Sequence, residues 1–281
     1  MSTTEPQPYI DPFVEAIDLR SDLNGSDYEI RIGLPATYRS SSAHYPVLVV
    51  LDADLSFGIA YETTVLEAMW ASAPRSGAKP AQEFIVVGIS FPDRHVDAFR
   101  RNFEYMPEGH PEEYAPEMKA YLERVVELTG REARSGGAAV FLEVLTREIL
   151  PLIERNYRVD PSRRMLFGQS AGGTFGCYTL LTRPETFTDY VIVSPGIPDG
   201  EIFRLEEAWA NAHDDLPVAV QFSAGQGEVT DPLRIVSNTA TLIEKLHSRH
   251  YPGLRLLSWF VPDANHIQTA APSLARALSS L

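Results

Sequence analysis

One pentapeptide in this chain has the residue types and spacing of a serine nucleophile: Gly168-Gln169-Ser170-Ala171-Gly172, followed by Gly173. A G-x-S-x-G string arises by chance in roughly one chain of this length in ten, so its surroundings decide its meaning. It follows the apolar run Met165-Leu166-Phe167 and precedes the small, apolar stretch 174–181. That order is the strand, sharp turn and helix on which such a serine depends. Flanking glycines permit a backbone conformation that most residues avoid, and they let the helix close on the strand. Ser170 Oγ is therefore expected above a sheet edge, at a helix N-terminus.

An unassisted hydroxyl is a weak nucleophile and needs a base within hydrogen-bond reach. In this setting the partners follow in the order acid, then histidine. Four histidines lie after Ser170. His213 sits in a polar loop, and His247 and His250 end an amphipathic helix, where they favour the C-terminus electrostatically. His266 follows the last apolar run, 254–261, in the loop Pro262-Asp263-Ala264-Asn265-His266 ahead of a terminal helix. It is the expected general base. The acid is expected after the run 218–222, in a loop that offers Glu228 and Asp231. Glu228, a short reach from the strand end, is the first choice. Asp231, followed by Pro232, is the alternative and looks more like a helix start. Asp263 is a third option that belongs more naturally to the turn carrying His266. The acid would fix the imidazole tautomer and stabilise imidazolium.

Negative charge on the reacting oxygen calls for two backbone N–H donors. One is expected from Ala171. The other is expected from the loop Asp52-Ala53-Asp54-Leu55, through Ala53 or Asp54.

The elements that must position these groups are legible as patterns. Segments 14–19 and 28–34 alternate and should pair antiparallel around Asn24-Gly25-Ser26. Runs at 47–51, 84–89, 165–167, 191–193, 218–222 and 254–261 are short and continuous, as strands covered on both faces are. Helical spacing marks 141–157, where Pro151 suggests a kink or break, and also 172–181, 236–250 and 271–281. The alternation predicts an α/β fold: a mostly parallel central sheet, antiparallel N-terminal strands and helices on both faces. One domain is expected over 1–281, with a helix-and-loop insertion near 107–138 whose simplest role is structural and whose alternative role is a partial lid.

Composition narrows the function classes. The 281 residues, 44% apolar and 22% charged, can bury a substantial core. A net charge of -14 argues against nucleic-acid and anionic-membrane partners, which need clustered Lys and Arg. The single cysteine, Cys177, excludes an intramolecular disulfide and a cysteine metal cluster, and reads as a small buried hydrophobe. Residues 1–7 lack the basic start and apolar run of a signal peptide, and no stretch approaches about 20 apolar residues. A soluble, cytoplasmic protein is expected; oligomeric state is not encoded legibly.

Together these residues resemble the putative-esterase family, which includes esterase D-like enzymes, siderophore (trilactone) esterases of the enterochelin-esterase type, and the mycolyltransferases. The likeness runs from about Leu34 to the C-terminus. It rests on Tyr45-Pro46-Val47 leading to Leu51-Asp52, Val87-Gly88-Ile89, Arg100-Arg101-Asn102-Phe103, Phe141-Leu142 with Tyr157-Arg158, Gly168 to Gly173, Pro184-Glu185-Thr186-Phe187, Ser194-Pro195 and His266. The resemblance implies an α/β-hydrolase fold and a cofactor-free serine hydrolase acting on a small ester or lactone, with Ser170 as nucleophile and His266 as base. It also suggests Arg101 as a substrate or active-site contact, a surface salt bridge being the alternative, with Gln169 as a second contact. Three departures bear on substrate. Ala53 stands where the family commonly has glycine, Asn102 stands where Asp is usual, and Asp54 adds a carboxylate that, facing the cleft, would disfavour anionic substrates. The alternatives are an acyltransferase or thioesterase using the same residues, and a non-catalytic binding protein of the same fold.

Overall fold

The apolar runs become strands of one sheet in the computed structural model, which describes residues 11–71, 82–92, 98–230 and 233–281. Residues 1–7 and Asp231 lie outside the described residues. Eight strands are described: β1 (Val14–Arg20), β2 (Asp27–Gly33), β3 (Tyr45–Leu51), β4 (Ile85–Ser90), β5 (Val159–Gln169), β6 (Asp189–Val193), β7 (Ala219–Gly225) and β8 (Arg255–Val261). Their spatial order is β1-β2-β4-β3-β5-β6-β7-β8. The β1–β2 and β2–β4 pairs are antiparallel, and every pair from β4 to β8 is parallel. The parallel ends of β3, β5, β7 and β8 thus open onto one sheet edge, where ligands of α/β folds bind.

The helices described are α1 (Ala53–Ala71), α2 (Ala98–Tyr105), α3 (Pro116–Thr129), α4 (Ala138–Val144), α5 (Leu150–Asn156), α6 (Ala171–Thr182), α7 (Glu201–Ala212), α8 (Ile235–Arg249) and α9 (Ala270–Ser280). Strand side chains alternate between faces, so each buried strand feeds two cores. Leu48 and Val50 of β3 join Ala53, Phe57 and Tyr61 of α1 and Leu274 of α9. Val47 and Val49 join Phe141 of α4, Phe175 of α6 and Leu242 of α8 on the other face.

The helical stretch around Pro151 does not break. A π turn, Leu145–Ile149, joins α4 to α5, and Leu150 N–H reaches back to the Leu145 carbonyl. The wider turn accommodates a residue that has no N–H and whose ring would collide with the carbonyl one turn back. The 107–138 segment forms a short 3-10 turn and α3, and it docks on the entrance to α7. Glu113 accepts from Gly200 N–H at 3.0 Å and pairs with Arg204 at 2.8 Å, and His110 N–H donates to Asp199 at 2.8 Å. No helix among the described residues is long and apolar enough to cross a membrane.

Candidate active site

Ser170 stands between β5 and α6 with φ 58° and ψ -123°. For a non-glycine residue this conformation costs about 1–3 kcal/mol and persists only where the surroundings enforce it. Two glycines make it sterically attainable. A Cβ at Gly168 would lie 2.2 Å from the Gly172 carbonyl oxygen, and one at Gly173 would lie 2.7 Å from that of Val193. The turn is then pinned by Ser170 N–H donating to the Val193 carbonyl at 3.0 Å. A serine at a helix N-cap ordinarily spends its hydroxyl on the first-turn N–H groups. Ser170 makes no such capping bond.

The loop after β7 carries Glu228 and the loop after β8 carries His266. Glu228 Oε1 lies 2.5 Å from His266 Nδ1. Its other oxygen, Oε2, accepts from Gly225 N–H at 2.6 Å and from the Ser194 hydroxyl at 2.7 Å. Burial, with 2% of the side chain exposed, raises the carboxyl's pKa. The bonds from His266, Gly225 and Ser194 outweigh that and hold it below the usual glutamate range. It is an anion held by three donors. With Nδ1 directed at this anion, His266 Nε2 is the nitrogen left for another partner. Gln169, the residue before Ser170, donates its side-chain amide to the His266 carbonyl and so ties the histidine loop to the serine turn.

Ser194 carried only a family mark in the sequence. Its hydroxyl is fully buried and its φ is 44°. No local signal announces its contact with Glu228, 34 residues away.

The turn after β3 also holds a non-glycine residue at positive φ, Asp52 at 55°. The Asp52 carbonyl accepts from Leu55 and Ser56 N–H, both at 2.9 Å, which opens α1. The N–H groups of Ala53 and Asp54 fall in a first helical turn and have no intrahelical acceptor. Ala171 holds the same position in α6. The two helix starts touch, since a Cβ at Gly172 would lie 3.3 Å from Asp52 Oδ2. Adjacent helix N-termini form a natural anion site.

Arg101 and Gln169, suggested as substrate contacts, are both engaged inside the protein. Arg101 Nε reaches Asp52 Oδ1 at 2.5 Å, and Nη2 reaches Asp52 Oδ2 at 2.7 Å and the Gln169 carbonyl at 3.3 Å. The guanidinium therefore bridges the ends of β3 and β5. Burial opposes its charge and the Asp52 carboxylate more than compensates, leaving its pKa raised. The Asp54 carboxylate pairs with Arg31 at 2.8 Å, which offsets the charge it would otherwise bring to the site. Cys177 is buried on α6, and burial pushes its thiol pKa far up. Among the described residues, one group of ligand-type side chains, His110, Glu112 and Glu113, could hold a metal ion. It lies on the insertion, where Glu113 is already paired with Arg204.

The mixed sheet, with a serine turn at the end of β5 and a carboxylate–histidine pair on the loops after β7 and β8, defines an α/β hydrolase. The chain belongs to the family described as "Putative esterase", which matches residues 21–238, and is accordingly a hydrolase acting on esters. It is 28% identical over 273 residues to the ferri-bacillibactin esterase BesA of Bacillus subtilis, a match covering 95% of this chain and 89% of that protein. It is 27% identical over 237 residues to the siderophore triacetylfusarinine C esterase of Aspergillus fumigatus, covering 81% and 72%. The crystal structure of the BES protein from Bacillus cereus superposes with a TM-score of 0.79 at 24% identity, covering 99% and 97%. The resemblance read from the sequence is thereby met for both family and fold.

Proposed function

We propose that this protein is a serine carboxylesterase that hydrolyses a small ester or lactone, of siderophore-esterase type, through an acyl-enzyme on Ser170. The observation that carries the reading is the 2.5 Å Glu228–His266 pair on a loop bonded to the residue preceding Ser170. His266 Nε2 takes the Oγ proton as Ser170 attacks the carbonyl carbon, and Glu228 stabilises the imidazolium through Nδ1–H. The oxyanion binds the N–H of Ala171 together with that of Ala53 or Asp54, at a dipolar site that gains strength as charge develops. Collapse expels the alcohol, which receives the proton from His266. Water, deprotonated by the same nitrogen, then releases the acid. The names of the relatives support an ester held in a siderophore as the substrate class.

A fluorophosphonate probe should label the wild-type protein and leave Ser170→Ala unlabelled, with ester hydrolysis falling at least about 10⁴-fold. Equal labelling of both proteins overturns the reading. Product analysis with an added alcohol distinguishes water from an alcohol as acyl acceptor.

A further inference from the structure

Strand β6 separates the serine from its acid: it lies between β5, which runs into the Ser170 turn, and β7, whose loop carries Glu228. Its last peptide unit faces both neighbours. The Val193 carbonyl accepts from Ser170 N–H at 3.0 Å, and the N–H at the other end of that peptide, on Ser194, donates to the Ser223 carbonyl of β7 at 2.7 Å. Just beyond, the Thr174 hydroxyl of α6 donates to the Gly196 carbonyl at 2.7 Å. The end of β6 is thus held at a fixed offset from the nucleophile turn.

Ser194 is the costly residue in this segment. Its φ of 44° suits glycine, and a serine there takes on backbone strain that glycine would avoid. The side chain is fully buried, so hydration of the hydroxyl does not offset that strain. The hydroxyl instead donates to Glu228 Oε2 at 2.7 Å, and the Gly225 N–H at the end of β7 donates to the same oxygen at 2.6 Å. The terminal torsion of a carboxylate is soft. Two donors from neighbouring strands fix its plane, which leaves Oε1 aimed at His266 Nδ1. Bonds of this kind, to an ionised acceptor, are the stronger sort.

We infer that Ser194 is a positioning residue: its hydroxyl locks the Glu228 carboxylate onto the strand end that also pins the Ser170 turn, and so keeps His266 aligned with the nucleophile. Its role rests on the acyl-enzyme reading above and runs entirely through Glu228.

Two variants test it with p-nitrophenyl butyrate as substrate. Ser194→Ala removes the hydroxyl and keeps the strained φ, whereas Ser194→Gly removes the hydroxyl and relieves the strain. Both should lower kcat about 10- to 100-fold, the loss expected for one hydrogen bond to a buried charge, with KM within about twofold of wild type. Ser194→Gly should melt no lower than Ser194→Ala, and it carries the test should Ser194→Ala fail to fold. Wild-type kcat in Ser194→Gly overturns the role. Adding Ser194→Ala to Glu228→Gln should cost less than about threefold more, because the charge that the hydroxyl supports is gone. A further loss as large as in the wild-type background overturns it as well. Should Glu228→Gln itself keep wild-type kcat, the acyl-enzyme reading fails; a fall in Glu228→Gln beside wild-type kcat in both Ser194 variants defeats only the role of Ser194.

Discussion

The turns at Ser170 and Asp52 have the same local form and are built by opposite means. Each ends a parallel strand, opens a helix and places a non-glycine residue at positive φ, 58° at Ser170 and 55° at Asp52. At Ser170 the conformation comes from sequence neighbours, because Gly168 and Gly173 remove the atoms that would block it. At Asp52 no adjacent glycine helps, since Leu51 and Ala53 flank it. That turn is held instead by Arg101, 49 residues away, through a two-pronged ion pair that also grips the end of β5. A locally encoded turn fails when a methyl group is added within it. A turn encoded at long range fails when a distant partner is removed, and it should be partly repaired by removing both partners.

The Glu228–His266 pair belongs to neither turn and sets the scale for the largest effect. Glu228→Gln should lower kcat by roughly 10³–10⁴-fold, since a neutral amide cannot stabilise imidazolium. The carboxyl's pKa is lowered in the folded protein, so the stability it contributes is fully present above the ordinary glutamate value of about 4.3. That contribution is lost as pH falls through the lowered folded value. Urea unfolding of wild type and Glu228→Gln should therefore show a constant stability difference at neutral pH that narrows in acid. A difference that widens in acid would contradict the assignment.

Gly168→Ala attacks the locally encoded turn. With its Cβ 2.2 Å from the Gly172 carbonyl oxygen, it should cost about 1–3 kcal/mol of stability and at least about 100-fold in kcat/KM. Thermal melting and steady-state kinetics read both effects, and near-wild-type values would show that the close approach is dispensable.

Arg101→Met attacks the turn encoded at long range. It should lower kcat about 10- to 100-fold with a smaller change in KM, because the donors at the start of α1 lose their fixed relation to Ala171. Leaving Asp52 buried without its partner should also destabilise the protein. The double variant Asp52→Asn/Arg101→Met should be less impaired than the sum of the singles, with a coupling of about 0.5–3 kcal/mol in a thermodynamic cycle. Strict additivity would mean that the two side chains act separately.

The smallest effect is expected at Asp54→Asn. Its carboxylate is already paired with Arg31, so kcat/KM for neutral esters should change by less than about threefold. A large gain on anionic esters alone would show that its charge reaches the cleft.

Much of the fold was legible because its signals are local. Strands buried on both faces read as continuous apolar runs, and β3, β4 and β6 lie where those runs lie. The polar start of β5, from Val159 to Arg164, carries no such signal, and its strand character comes from pairing beside β3. Helix α1 has no clean period because Leu55, Ile59 and Leu66 face solvent while Phe57, Ala60 and Tyr61 face the core.

The sequence by itself determined the serine turn, since the glycines that admit it are its immediate neighbours and the flanking strand and helix follow from hydrophobic pattern. It also confined the histidine and the acid to two loops after strands. Only the tertiary structure decided which groups meet. It brought Glu228 to His266, added Ser194 as a buried donor to that carboxylate, braced Arg101 against Asp52 and Gln169 against the His266 loop, and gave Asp54 to Arg31. Those outcomes depend on how strands far apart in the chain fall into register at one sheet edge. Side-chain contacts across that edge leave no periodicity, spacing or turn preference for a linear reading to find.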